Sequence, residues 1–262
     1  MQISNLKSDD VASSLVDGVL RVTIKREEKR NALSLGVLER VREIFTEAAT
    51  RADLRLAILT GAGDKAFASG GDLVELADKK TVEAARALSL HGKAALNAVR
   101  RLPVPVVARV NGVALGGGAE FALACDMRFA AAHAAIGFIH SKLGISPSWG
   151  GSADLMRLVG SAAATQMLTR AEILKAPEAL ALGLFNGAAV DEDFDAAFDG
   201  FVAPMLKQPP QVMRAIKAAA LIERLRGLGE AHDVETGHFA ITWTHDDHWA
   251  AADAMQAQRA QK

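Results

Sequence analysis

VVARVNGVALGGGAEFALACD, residues 106–126, is the stretch that decides the fold. An apolar, β-branched run leads into Asn111-Gly112, and three glycines at 116–118 then open an apolar segment that contains one acid, Glu120. This order predicts a strand, a glycine turn and a helix.

The glycine turn has two interpretations. Glycines at a helix start let a ligand approach the backbone, and the first helical N–H groups have no intrahelical partner, so they can hold an oxyanion. Glu120 is costly to bury among apolar neighbours unless it is paired or transfers a proton. A helix-packing glycine cluster with a surface glutamate fits this stretch equally well.

A second glycine turn favours the first interpretation. Residues 54–60, LRLAILT, are typical of a buried strand, and AFASGGDL at 66–73 places Gly70-Gly71 just before an acid. Two such turns could each supply one backbone N–H to a single oxygen. Together they would form an oxyanion hole.

These two motifs, together with KREEKRNALS at 25–34, resemble the enoyl-CoA hydratase/isomerase (crotonase) superfamily over nearly the whole chain. The resemblance implies an α/β fold built as a spiral of ββα units, followed by C-terminal helices that assemble a trimer. We therefore expect a core with the acyl-CoA site at 1–197, a helical region at 198–262, and a homotrimer or a dimer of trimers.

The resemblance also implies the site residues. The oxyanion donors would be the backbone N–H groups of Gly71 and Gly117, and the substrate an acyl-CoA thioester, with no separate cofactor and no metal. Lys29 would meet coenzyme A phosphates, although a cluster of basic residues at 25–30 is usually only solvated. Glu27 stands where the family has a proline. Further substrate contacts are expected at Ala32, Ala66, Ala68, Gly70, Asp72, Leu73 and Gly116.

The stretch AAIGFIHSKLGISPSWGG at 134–151 departs from the common family pattern. Family hydratases carry a second glutamate that brackets one water with the first, and that position is His140 here. A histidine could replace the carboxylate near neutral pH, or it could fill the pocket wall. FIHSKLGISPSWGG instead resembles ethylmalonyl-CoA decarboxylase-like members. Trp149 in this turn is expected either to line the acyl pocket or to anchor packing.

Decarboxylation of a short alkylmalonyl-CoA agrees with these residues because it needs no attacking water. Gly71 and Gly117 would stabilise the enolate oxygen, and His140 would orient the carboxylate or protonate the carbanion. Glu120 would repel that carboxylate if ionised, so it should lie on the far side, be protonated, or donate the proton itself. The alternatives are a hydratase or isomerase that uses Glu120 with His140, and a non-catalytic binding or scaffold subunit.

Composition excludes several other classes. The chain of 262 residues is 50% hydrophobic and 23% charged, and its net charge of -1 does not attract nucleic acid or membrane. Cys125 is the single cysteine, so no intramolecular disulfide forms and a buried thiol is expected. Residues 1–10 lack a signal-peptide pattern, and no apolar run is long enough to span a membrane, so a cytoplasmic location is predicted.

The residues around the other histidines do not indicate a catalytic or metal-binding role. His91 is predicted to be solvated or packed on a helix, and the cluster of His245 and His248 with two aspartates predicts a solvated helix start rather than a metal site. No dinucleotide, Walker or nucleophile-elbow motif occurs. The remaining predicted elements are strands at 15–24, 127–131 and 188–190, and helices at 34–51, 81–102, 153–158, 162–168, 177–183, 192–207, 209–226, 229–242 and 246–260.

Overall fold

The computed structural model describes residues 10–189 and 193–260, and side chains as far as residue 257. In these ranges ten strands form two sheets. The strands are β1 Val11–Val16, β2 Val19–Ile24, β3 Leu56–Gly61, β4 Ala66–Ala68, β5 Val106–Val110, β6 Val113–Leu115, β7 Met127–Ala130, β8 Ala135–Gly137, β9 Ile173–Lys175 and β10 Gly187–Ala188. One sheet has the order β1-β2-β3-β5-β7-β10 and the other has the order β4-β6-β8-β9.

Successive strand pairs alternate between the two sheets. β3, β5 and β7 lie in the six-stranded sheet, and the strand after each one lies in the four-stranded sheet. Each pair is followed by helix, and the pairings β3–β5, β5–β7, β4–β6 and β6–β8 are all parallel. This is a spiral of ββα units, which confirms the predicted α/β fold class.

The helices cover the sheets and form the C-terminal region. They are α1 Leu35–Ala49, α2 Leu73–Leu76, α3 Val82–Arg100, α4 Gly117–Ala124, α5 Gly151–Arg170, α6 Ala176–Ala181, α7 Phe194–Leu206, α8 Pro210–Leu225, α9 Leu228–Trp243 and α10 Asp246–Ala260. Ser34 caps α1 as predicted, because its side chain accepts a hydrogen bond from the Val37 N–H. The apolar face of α1, which includes Val41 and Phe45, is buried in the main core.

Two predicted elements were wrong. The stretch at 15–24 is not one strand, because Asp17 and Gly18 both have positive φ (51° and 76°) and reverse the chain into the antiparallel hairpin of β1 and β2. Residues 106–126 contain a further strand, β6, between Asn111-Gly112 and the three glycines. The glycines therefore follow a strand of the smaller sheet.

The domain boundary predicted between residues 197 and 198 falls inside α7. Phe198 and Val202 of this helix pack with Ile58, Val107 and Phe129 of the six-stranded sheet. This contact makes α7 part of the core. The predicted strand residue Val190, the predicted helix start at 192 and residues 1–9 lie outside the described residues.

Buried ion pairs fasten the C-terminal helices to the core. Lys217 of α8 lies 2.6 Å from Asp126, and Arg224 lies 3.1 Å from Asp154, which also binds Arg100 of α3 at 2.9 Å. Breaking such a pair leaves an uncompensated buried charge, so these contacts hold α8 in register with α4 and α5. Along the described ranges, no helix combines the length and apolar content needed to cross a bilayer.

Candidate active site

A cavity of about 660 Å³ opens where the two glycine turns meet. Gly71, Gly117, Glu120, His140 and Trp149 line it, together with apolar side chains of α3 and α9. The other predicted contacts that reach its wall are Lys29, Ala32, Gly70, Asp72, Leu73 and Gly116. Eleven of the predicted site residues therefore line this one cavity.

Sheet topology brings the two glycine turns together. β4 and β6 are parallel neighbours, so the residues that follow both strands emerge side by side. A Cβ added to Gly70 would lie 3.5 Å from the Gly117 nitrogen, and one added to Gly118 would lie 1.9 Å from the Ala68 oxygen. Gly70 and Gly116 have positive φ of 101° and 55°, which favours glycine.

Two backbone N–H groups at this junction are free. Gly117 is the first residue of α4 and has no intrahelical acceptor. Gly71 forms an isolated bridge with Leu33 in which the N–H groups of Leu33 and Asp72 are the donors, at 2.8 and 3.2 Å. Over residues 10–189 and 193–260, the N–H groups of Gly71 and Gly117 therefore donate to no protein atom. Both can donate to a ligand in the cavity.

Arg26 holds the Gly70-Gly71 turn in place. Its guanidinium donates to Asp72 Oδ2 at 2.7 Å and to the Ala32 oxygen at 2.6 Å, and only 6% of the residue is exposed. Burial alone would raise the pKa of Asp72, but the hydrogen bond and charge of Arg26, aided by Lys29, hold it below its usual value. The sequence placed Arg26 in a solvated basic cluster, since its partner lies far along the chain.

Glu120 is buried, with 1% exposure, and both of its carboxylate oxygens are hydrogen-bonded within the site. Its Oε1 accepts from the N–H groups of Trp149 (2.8 Å) and Gly151 (3.0 Å), and its Oε2 lies 3.1 Å from His140 Nε2. Burial alone would raise the pKa of Glu120, but the bond and charge of His140 and the two N–H groups outweigh it and lower that pKa. Glu120 is therefore an anchored carboxylate that only accepts hydrogen bonds.

His140 has one paired and one free nitrogen. It lies in the 3₁₀ helix Ile139–Leu143, after β8, and is 7% exposed. Because an ionised Glu120 cannot donate, the proton of their hydrogen bond is assigned to His140 Nε2. His140 Nδ1 is buried and has no partner in the described part of the chain. A buried polar atom without a partner costs free energy, so Nδ1 can gain from a bound ligand.

Two carboxylates share the turn before α5. Glu120 accepts hydrogen bonds from the backbone N–H groups of residues 149 and 151. Glu235 of α9 accepts from the backbone N–H groups between them and after them, Gly150 at 2.7 Å and Ser152 at 3.1 Å. Burial and the nearby charge of Glu120 raise the pKa of Glu235. Sequence reasoning missed Glu235, because nothing in the local pattern of α9 distinguishes it from a solvated glutamate.

Some predicted positions do not reach the cavity. Ala66 and Ala68, two of the predicted substrate contacts, are buried in β4 behind the Gly70-Gly71 turn and do not line the cavity. His91, predicted to be solvated or packed on its helix, lies with its Nε2 3.0 Å from the Leu35 oxygen. Cys125 is buried as predicted, and burial raises the pKa of its thiol to about 12.

His248 corrects the prediction of a solvated helix start. It is fully buried, and its Nδ1 lies 2.7 Å from the Leu143 oxygen, so it joins α10 to the 3₁₀ helix beside the cavity. His245 is exposed. Within residues 10–189 and 193–260, no three histidine, cysteine, aspartate or glutamate side chains gather closely enough to hold a metal ion.

Comparison with known proteins places this geometry in a family. The model of the enoyl-CoA hydratase/isomerase family matches residues 15–258. The chain belongs to this family. A short-chain-enoyl-CoA hydratase from Clostridium acetobutylicum is 40% identical over 165 residues, which are 63% of each chain. An ethylmalonyl-CoA decarboxylase from Mus musculus is 34% identical over 236 residues, 87% of this chain and 71% of the relative.

A solved structure confirms the crotonase fold. The crystal structure of an enoyl-CoA hydratase from Mycobacterium avium subsp. paratuberculosis K-10 is 30% identical and superposes with a TM-score of 0.86, covering 94% of this chain and 98% of that one. In this crotonase-family chain, the cavity lies between the glycine turns, the 3₁₀ helix and α9.

Proposed function

We propose that this crotonase-family protein decarboxylates a short alkylmalonyl-CoA. The observation that carries the proposal is the side chain that meets Glu120 in the cavity: it is the imidazole of His140, at 3.1 Å, and not a second carboxylate. Addition of water across a double bond needs two proton-handling groups around one water. Loss of CO2 from a malonyl thioester needs no water.

The free N–H groups of Gly71 and Gly117 support the first step. In that step the bond between the α-carbon and the carboxylate breaks, and its electron pair forms the enolate of the thioester as CO2 leaves. The negative charge develops on the thioester oxygen, held by both N–H groups. Each such donor is worth about 2.7 to 4 kcal/mol of transition-state stabilisation.

His140 completes the reaction. Glu120 is ionised, only accepts hydrogen bonds and already has three donors, so it is not the proton donor at the α-carbon. Its negative charge also disfavours a substrate carboxylate nearby, which places that carboxylate on the other side of His140. His140 keeps its Nε2–H on Glu120, and its free Nδ1 is the position through which a proton taken up from solvent passes to the enolate carbon.

The coenzyme A part of the substrate enters past the Gly70-Gly71 turn. Lys29 has a half-exposed side chain at the cavity mouth, 3.6 Å from Asp72, from which it can reach phosphates. Ala32, Gly70, Asp72, Leu73 and Gly116 provide the surrounding wall. The proposed reaction uses no cofactor apart from the coenzyme A that is part of the substrate.

Hydration or isomerisation of an enoyl-CoA is the second candidate. The 40% identity with a short-chain-enoyl-CoA hydratase favours it, although over fewer residues than the match with the decarboxylase. In this reaction Glu120 and His140 would hold one water or move one proton between them. The oxyanion hole would serve both reactions.

A side-by-side turnover assay tests the proposal. The purified protein is given ethylmalonyl-CoA, methylmalonyl-CoA and crotonyl-CoA, and CO2 release is measured beside loss of the conjugated enoyl absorbance. We expect CO2 from the malonyl thioesters and negligible hydration. Fast hydration without CO2 would reject decarboxylation in favour of the second candidate.

The oligomer is a homotrimer or a dimer of trimers in this proposal. Large apolar side chains on α8 and α9 are exposed in the single chain, including Ile216 (59%), Ile222 (70%) and Ile241 (62%). Exposed apolar patches favour association. Sedimentation equilibrium measures the mass, and a monomer at micromolar concentration would contradict the proposal.

A further inference from the structure

Trp149 forms a wall directly beside the two free N–H groups. A Cβ added to Gly117 would lie 2.4 Å from Trp149 Cζ3, and one added to Gly71 would lie 3.9 Å from Cη2. The six-membered ring of the indole therefore covers the Cα of Gly117 and reaches toward Gly71. An acyl group whose thioester oxygen accepts from both N–H groups meets this ring first.

The other side of the indole rests on α3. A Cβ added to Gly92 would lie 2.2 Å from Trp149 Nε1 and 2.3 Å from Cδ1, so only glycine at position 92 leaves room for the ring. The indole thus lies between a glycine of α3 and a glycine of α4. Neither neighbour has a side chain that could move aside.

The backbone of Trp149 is fixed as well. Its N–H donates to Glu120 Oε1 at 2.8 Å, and its oxygen accepts from Arg100 Nη2 at 2.9 Å. Only 8% of the residue is exposed. A bulky side chain held at both ends of its ring system and at its backbone cannot swing away when a longer acyl chain enters.

We infer that Trp149, seated on Gly92 and Gly117, is the specificity-determining residue that restricts the acyl pocket to short acyl groups. The inference deepens the proposed function and rests on it for the position of the thioester oxygen. An apolar pocket wall discriminates between acyl chains that differ by one methylene group by about 10- to 200-fold.

Binding of saturated acyl-CoA thioesters tests this without any turnover. Dissociation constants are measured by isothermal titration calorimetry for acetyl-, butyryl-, hexanoyl- and octanoyl-CoA, with free coenzyme A as the baseline. We expect the wild type to bind butyryl-CoA more tightly than octanoyl-CoA. In Trp149→Ala the octanoyl-to-butyryl affinity ratio should rise by about 10- to 200-fold or more.

Leu155→Ala is the matched control. Leu155 is fully buried in the same core cluster but does not line the cavity, so its truncation should lower stability and leave the chain-length profile unchanged. If Trp149→Ala does not fold, Trp149→Phe is measured instead and should shift the ratio in the same direction by less. An unchanged profile in a folded Trp149 variant, or an equal shift in Leu155→Ala, would overturn the inference.

A double-mutant cycle tests the seat of the indole. Gly92→Ala should lower the melting temperature strongly when Trp149 is present and only weakly in the Trp149→Ala background. Equal losses in both backgrounds would show that the ring does not occupy this site. Both experiments measure binding or stability and not turnover. A failure to release CO2 would therefore reject the proposed function without deciding the role of Trp149, which depends on the binding profile and the melting temperatures.

Discussion

Replacing Glu120 by glutamine tests the arrangement at the centre of the site. The wild-type carboxylate receives three hydrogen bonds, from the N–H groups of Trp149 and Gly151 and from His140 Nε2. A glutamine offers one acceptor oxygen and one NH2 donor. If its oxygen keeps both backbone N–H groups, its NH2 faces His140 Nε2, which must give up its proton. The proton of the neutral imidazole then moves to Nδ1.

The size of the loss follows from losing the hydrogen bond between His140 Nε2–H and a charged carboxylate. A hydrogen bond to a charged group contributes about 1.5 to 3 kcal/mol, and 1.36 kcal/mol corresponds to a tenfold change in rate. We therefore expect kcat/KM for CO2 release to fall by about 10- to 150-fold. The main effect should be on kcat, because Glu120 does not lie at the coenzyme A end of the cavity.

Stability should change with pH in a defined direction. The pKa of Glu120 is lower in the folded state than in the unfolded state, so its charged form stabilises the fold. That stabilisation is fully present above the unfolded pKa of about 4.3 and is lost as the pH falls through the lower folded pKa. The difference in free energy of unfolding between wild type and Glu120→Gln should therefore be largest near neutral pH and shrink in acid.

Steady-state kinetics with ethylmalonyl-CoA, urea unfolding at several pH values and nitrogen NMR of the His140 ring supply the measurements. Glu235→Gln is the matched control, since it makes the same chemical change on the same turn without contacting His140. We expect a smaller kinetic loss there and no change of tautomer. Activity within about threefold of wild type in folded Glu120→Gln, a loss of no more than about 0.65 kcal/mol, would refute the assigned role of the Glu120–His140 bond.

Four further tests probe the site and its support. His140→Glu supplies a second carboxylate, so CO2 release should fall and hydration of crotonyl-CoA should rise; undiminished CO2 release would contradict the role of His140. Cys125, with its pKa raised to about 12 by burial, should resist iodoacetamide at pH 8 in the folded protein and react after unfolding, and equal rates in the two states would show an exposed thiol. Gly118→Ala should destabilise the protein by about 1 to 3 kcal/mol or more in urea unfolding, because its Cβ would lie 1.9 Å from the Ala68 oxygen. Gly200→Ala, in an open part of α7, should instead stabilise it by about 0.8 to 1 kcal/mol.

The sequence alone was sufficient for features that depend on neighbouring residues. The glycines at 116–118 and Gly70-Gly71 marked the two turns, and Ser34 marked the start of α1, because backbone conformation and capping are decided within a few residues. Residues 15–24 were wrongly predicted to form one strand, because the alternation of apolar residues continues across Asp17 and Gly18, where the chain reverses.

Tertiary structure decided which charged groups meet. Arg26 is separated from Asp72 by 46 residues, and Glu235 from Gly150 by 85, so no local pattern distinguishes these buried side chains from solvated ones. The bond between Glu120 and His140 and the seat of Trp149 on Gly92 arise only when α3, α4, the 3₁₀ helix and the turn before α5 pack together. Protonation and pocket shape depend on burial and on distances of a few ångströms, and the chain acquires both only on folding.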